Sequence, residues 1–176
     1  DELMNHPNLI WIDHHKTAID KYDKEIMFGR RLDGVAACRL CWSHFCHDVL
    51  DISWYKERKM DEPLAITLAG EHDVWDHHDP NALNFQFGLE SNNYKTVESL
   101  IPLIGLGDDY NNLTLSLCDA GGISKNWQYN FAADVVKTSS YVRTFEGLNF
   151  LILASVHSRS GIWFPTEEIK LMNKIT

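Results

Sequence analysis

Asp13-His14-His15 stands directly after a short apolar run, Asn8-Leu9-Ile10-Trp11-Ile12. Imidazole suits manganese, iron or zinc, and a neighbouring carboxylate can ligate the metal or orient the ring. A strand end fixes the backbone, so adjacent side chains there aim at one point, and ligands of open α/β sheets gather at the carboxyl ends of strands. A second group lies further along, Glu71-His72-Asp73-Val74-Trp75-Asp76-His77-His78-Asp79, in which seven of nine residues can bind a metal or move a proton. The chain therefore contains Asp-His-His twice. The copies are not equivalent: Asp13 ends an apolar strand, whereas Asp76 sits in a polar stretch where His77 and His78 read as solvated.

The elements that must position these groups follow from periodicity. Residues 8–12, rich in β-formers and ending abruptly at Asp13, predict a buried parallel strand. Residues 25–31 predict a second short one. From Asp33-Gly34 a helix is expected to about His47, with Asp33 as N-cap and a broad apolar face of Val35, Cys38, Leu40, Cys41, Trp42 and Phe45. Trp42 and Trp75 read as core. Residues 51–61 read as a loop. Pro63 suits the first turn of a helix running to about Gly70, and 71–81 carries a loop signature. Helices are expected over 95–105, 109–118 and 125–143, with Gly121-Gly122 breaking the chain between the last two. Gly147 to Val156 predicts a strand. Strand, helices and a late strand make an α/β fold with a helical portion.

The 176 residues suffice for one domain with a sizeable core, or one and a half small ones. No run approaches the length of a membrane span, and Asp1-Glu2-Leu3-Met4 has none of the marks of a signal peptide. The net charge of −9 disfavours a protein that grips long duplex nucleic acid by its phosphates and fits a small anionic substrate better. Of the four cysteines, Cys38, Cys41 and Cys46 fall in one apolar segment, with Cys118 apart. Cys38 and Cys41 would lie one helical turn apart, but no second pair completes a zinc knuckle, so they read as core thiols in a reducing, cytoplasmic compartment.

The segment from Asn8 through Asp13-His14-His15-Lys16-Thr17 to Ile19 resembles the signature of the DHH phosphoesterase superfamily, which includes RecJ-type exonucleases, nanoRNases and cyclic-dinucleotide phosphodiesterases. Asp73, in Ala69-Gly70-Glu71-His72-Asp73-Val74-Trp75, resembles a further family aspartate that follows a helix. The segment from Gly34 to Phe45 resembles the helix between them. The resemblance covers residues 1 to about 90. It implies a parallel-sheet DHH-type domain with a two-metal site, usually of manganese. His14 would be a ligand of one metal, Asp73 would bridge both, Asp13 would stand behind the histidine, and His15 would face the substrate phosphate. Such metals activate a water and stabilise the charge that develops at phosphorus.

Two family motifs expected before the DHH strand are not in the sequence, nor is a glycine-rich, histidine-bearing loop of an accessory domain. His14 and Asp73 are too few ligands for two octahedral metals. The expectation is therefore a partial DHH domain over 1–120, incomplete at its N-terminus, a helical linker over 121–146, and the start of a C-terminal accessory domain over 147–176. The substrate would be a short RNA or DNA oligonucleotide or a cyclic dinucleotide, the isolated chain would be inactive, and the oligomeric state, a dimer included, is left open. Two other readings stand beside this one: a single-metal module using His72, Asp73, His77 and His78, and a non-catalytic structural domain.

Overall fold

Two β-forming segments meet side by side in the computed structural model, which describes residues 6–22, 28–49, 62–76 and 78–153. Trp11 N donates to Phe28 O (2.8 Å), Asp13 N to Arg30 O (3.1 Å) and Leu32 N to Asp13 O (3.2 Å). These bonds make two parallel bridges, Ile10 with Phe28 and Asp13 with Arg31. Gly29, at φ 126°, is required there, because a Cβ would stand 2.1 Å from Trp11 O. The parallel direction is the one expected, but the buried strand over 8–12 is not formed: the pairing stays at bridges and Ile10 is 45% exposed. A single parallel pair covers one edge only, and parallel strands are stable chiefly when flanked and covered on both faces. Of the segment expected as a second strand, residues 25–27 lie outside the described residues, and Phe28 to Arg31 supply the bridge partners.

Helix α1, Lys16–Tyr22, starts directly after the two histidines. Helix α2, Ala37–Ser43, begins later than Asp33 and has Ala36 at its N-cap with no side-chain cap. Asp33 faces Lys16 instead, at 3.7 Å. Beyond Ser43 the chain widens into a π-helical turn, His44–Val49. The loop expected over 51–61 lies outside the described residues.

Helix α3, Leu64–Asp73, has Pro63 at its N-cap and packs on α2. It does not stop at Gly70. Gly70 is a packing position, where a Cβ would stand 2.4 Å from Cδ of Arg39 on α2. The helix ends three residues later in a Schellman motif: Trp75 N donates to His72 O (3.3 Å) and Asp76 N to Glu71 O (3.0 Å). Trp75 holds the left-handed position of that motif at φ 57° and is 77% exposed, so it is not the core residue expected.

Helix α4, Asn81–Ser91, has no counterpart among the expected elements. Asp79 Oδ1 accepts from Asn81 N (2.8 Å) at its start. The helix expected over 95–105 is a single turn, α5, Val97–Leu100, closed by a Thr96/Ser99 capping box and followed by a 3-10 turn, Ile101–Leu103, at Pro102. Helix α6, Asp108–Ser139, runs unbroken through Gly121-Gly122. Gly121 and Gly88 let α4 and α6 touch backbone to backbone: a Cβ on Gly121 would stand 1.8 Å from Asn84 O, and one on Gly88 2.1 Å from Leu117 O. Around this contact Ala65, Leu68, Ala82, Phe85, Leu103, Leu117 and Cys118 form the main core.

The chain divides into two compact units, Asp1–Gly122 and Ile123–Thr176. In the second, α6 ends at Ser139 and the chain turns into strands β1, Ser140–Phe145, and β2, Leu148–Leu153, an antiparallel hairpin. The helix expected to reach 143 stops because Tyr141-Val142-Arg143-Thr144-Phe145 pairs with β2. Glu146 and Gly147, at φ 50° and 78°, form the tight turn, as a right-twisted two-residue hairpin requires. Leu151 and Leu153 pack on Ala132 and Val136. The fold is thus a mixture of helix and strand. Among the described residues no helix is long and apolar enough to cross a membrane.

Candidate metal centre

Asp13 is the anchor of the site. Its Oδ1 accepts from His14 N (2.8 Å), His15 N (3.1 Å) and His15 Nδ1 (2.7 Å), and its Oδ2 accepts from the indole Nε1 of Trp11 (3.3 Å). Burial pushes its pKa up, but the His15 side chain and the backbone N–H groups of His15 and His14 outweigh burial and hold the carboxyl at about 2. At neutral pH Asp13 is an acceptor only. Nδ1 of neutral His15 must then carry the hydrogen, which leaves the Nε2 lone pair of this exposed ring directed away from Asp13. The resemblance implies that Asp13 stands behind His14; the ring that Asp13 orients is that of His15.

His14 stacks on His15, with ring centroids 4.5 Å apart, and is only 17% exposed. Its Nδ1 is buried without a hydrogen-bond partner. Its Nε2 lies 3.5 Å from Oδ2 of Asp73, the last residue of α3. A carboxylate at a helix C-terminus is disfavoured by the helix dipole by about 0.3–1 kcal/mol, which a cation beside it would offset. The structure therefore brings Asp13, His14, His15 and Asp73 to one place from two separated segments.

Metal-ligating atoms of Asp13, His14 and His15 lie within 4.8 Å of one another, and no other such group occurs among the described residues. Cis ligands of an octahedral first-row cation sit roughly 3 Å apart, so the His14–Asp73 pair at 3.5 Å spans the width of one cation. Mixed imidazole and carboxylate donors suit a first-row divalent cation. The described residues fit a single cation, and they supply no ligand set for a second.

The second histidine-rich stretch is arranged differently. Glu71 Oε2 accepts from Asp79 N (2.7 Å) and closes the loop between α3 and α4. His78 pairs with Asp76 (2.7 Å) in the open. The half-buried ring of His72 lies 5.8 Å from that of Trp75. His77 lies outside the described residues. Of the described residues of this stretch, Asp73 is the one that reaches the first group, through His14.

Two further residues belong to the site. Trp11 donates to Asp13, and the Arg31 guanidinium lies 4.9 Å from the Trp11 ring centroid, with Nη1 donating to Trp11 O (3.4 Å). The signal for Trp11 was in the spacing: residues i and i+2 of an extended segment share a face. Arg31 had none, because its place depends on the parallel register with Asp13. Comparison with protein-family models, with curated proteins and with solved structures gives no match to this chain.

Proposed function

We propose that the chain belongs to a DHH-type phosphoesterase whose protein hydrolyses phosphodiester bonds in short oligonucleotides or cyclic dinucleotides with manganese. The observation that carries this reading is the meeting of His14 Nε2 and Asp73 Oδ2 at 3.5 Å, beside an Asp13–His15 hydrogen bond at the end of a parallel-paired segment. The parallel bridges support a DHH-type sheet, and the four unpaired thiols fit a reducing cytoplasm.

A bound divalent cation would polarise the phosphoryl oxygens and lower the pKa of a bound water. His14 and Asp73 are the residues to hold it. The free Nε2 lone pair of His15 can take the proton of a water that attacks the substrate phosphate, and the imidazolium so formed can return it to the leaving oxygen. Asp13 fixes the tautomer that makes this possible and stabilises the imidazolium once the proton has moved. Trp11 holds the other carboxylate oxygen, so the ring orientation is set before substrate arrives.

The test is a manganese titration of the chain joined to hydrolysis assays on a short oligoribonucleotide and a cyclic dinucleotide by the protein that carries it. His14→Ala and Asp73→Asn should each weaken manganese binding about tenfold or more, and His78→Ala should leave it unchanged. Manganese binding that depends on His78 and not on His14 would favour the single-metal module instead. Absence of hydrolysis in the protein with manganese bound would leave the structural reading.

A further inference from the structure

Away from the histidines, α2, its entry loop and Glu62 enclose an open cleft of about 360 Å³, the size at which pockets for small organic ligands begin. Its lining includes Arg30, Arg39, Ser43 and Glu62, with Trp42 and Leu40 on its apolar side. Among the described residues the lining carries two guanidiniums, Arg30 and Arg39, and one carboxylate, Glu62.

Arg39 is held from behind, and Arg30 by Ser43 within the lining. Arg39 Nε donates to Glu62 Oε2 (2.8 Å), and Thr67 Oγ1 donates to the same oxygen (2.9 Å). The stem of Arg39 lies over Gly70, where any Cβ would meet its Cγ at 2.7 Å and its Cδ at 2.4 Å. A glycine inside a helix costs about 1 kcal/mol relative to alanine; here it makes room for the arginine. One edge of the guanidinium is thereby fixed, and its two Nη groups have no acceptor among the described residues. Arg30 Nη1 donates to Ser43 Oγ, which leaves the Ser43 hydroxyl hydrogen to point elsewhere.

We propose that this cleft binds a phosphate monoester of mononucleotide size. The Arg39 fork, Arg30 and the Ser43 hydroxyl are donors from three residues. They match the three oxygens of a phosphoryl group better than the two of a carboxylate. The Trp42 and Leu40 side then takes the organic body of the ligand. The inference stands on the cleft alone and not on the proposed reaction.

The experiment titrates the full chain, in excess chelator so that no metal contributes, with AMP, inorganic phosphate and adenosine, following binding by calorimetry. AMP should bind at least tenfold more tightly than either phosphate or adenosine, and more weakly as salt rises. Arg39→Gln and Arg30→Gln should each weaken AMP about tenfold or more. Gly70→Ala keeps both charges but displaces the Arg39 stem, and should weaken AMP severalfold. Unchanged AMP affinity in Arg39→Gln overturns the proposal; if that variant does not fold, unchanged affinity in Arg30→Gln overturns it. No AMP binding at millimolar concentration, or equal binding of AMP and phosphate or of AMP and adenosine, overturns it as well.

Discussion

Oδ1 of Asp13 lies 2.7 Å from Nδ1 of His15 and accepts two backbone N–H groups besides. This lowers the folded-state pKa from an ordinary 3.8 to about 2. A depressed carboxyl stabilises the fold above its unfolded pKa, and that contribution is lost as pH falls from about 4 through 2. The shift corresponds to about 2 kcal/mol. Urea unfolding at pH 5 and pH 2 should show wild-type protein losing about that much more stability than Asp13→Asn. Parallel pH dependences for the two proteins would mean that Asp13 is not held by these bonds.

Gly121 and Gly122 are neighbours in α6 with opposite surroundings. Helix propensity alone makes either alanine substitution stabilising by about 1 kcal/mol. At Gly122 a Cβ would meet only the Asn84 side chain, at 3.5 Å, so Gly122→Ala should raise the melting temperature. At Gly121 it would strike the Asn84 carbonyl oxygen at 1.8 Å, and backbone cannot yield as a side chain can. Gly121→Ala should cost about 1–3 kcal/mol or more, as should Gly88→Ala against Leu117 O. Thermal unfolding of the three variants checks the pattern, and a stable Gly121→Ala would rule out the close crossing of α4 and α6.

The same glycines show why part of the fold was hidden in the sequence. A Gly-Gly pair reads as a break because the chain alone does not reveal the backbone waiting across the gap. Helix α4 was hidden for a related reason: Phe85, Phe87 and Leu89 alternate as in a strand, and Asn84, Gln86 and Gly88 between them are weak evidence for a helix. Burial of Ala82 and Phe85 against Leu117 and Cys118 decides the matter, and that is tertiary packing. What was legible was local. Asp13 and its histidines are consecutive, and Pro63 starts its helix where expected. The pairing of His14 with Asp73 came into view only through resemblance, since spacing along the chain does not tell where α3 ends.

The thiols offer an independent check on the core. Burial, followed by the nearby carboxylates of Asp79 and Asp119, pushes Cys118 up to about 11. At pH 8 its thiolate share is then about a hundredfold below that of an ordinary thiol with a pKa of 9.0. Burial also raises Cys38 and Cys41, and the Cys38 thiol donates to Ile66 O (3.8 Å). Under native conditions a thiol reagent should therefore label Cys118 only as fast as the protein unfolds. Cys41, half-exposed, should react before it. Mass spectrometry of the labelled peptides gives the order, and early modification of Cys118 would contradict the packing of α6 against α3 and α4.

Trp75 connects helix geometry to the candidate metal centre. It occupies the left-handed position that ends α3 two residues after Asp73, where glycine is the usual occupant. A side chain there costs about 1–2 kcal/mol. Trp75→Gly removes that strain. It also gives up the ring contact with His72 and loosens the unfolded chain, which offsets part of the gain. The net expectation is a stabilisation of up to about 1 kcal/mol in urea. Because glycine adopts the same turn, the closing bond from Asp76 N to Glu71 O is retained and Asp73 keeps its place opposite His14. Manganese affinity should then be unchanged. Trp75→Val, with a β-branched residue in the same conformation, should lower stability by about 1 kcal/mol and weaken manganese binding as the last turn of α3 frays. If both variants were equally stable, the Schellman ending would not be what fixes Asp73.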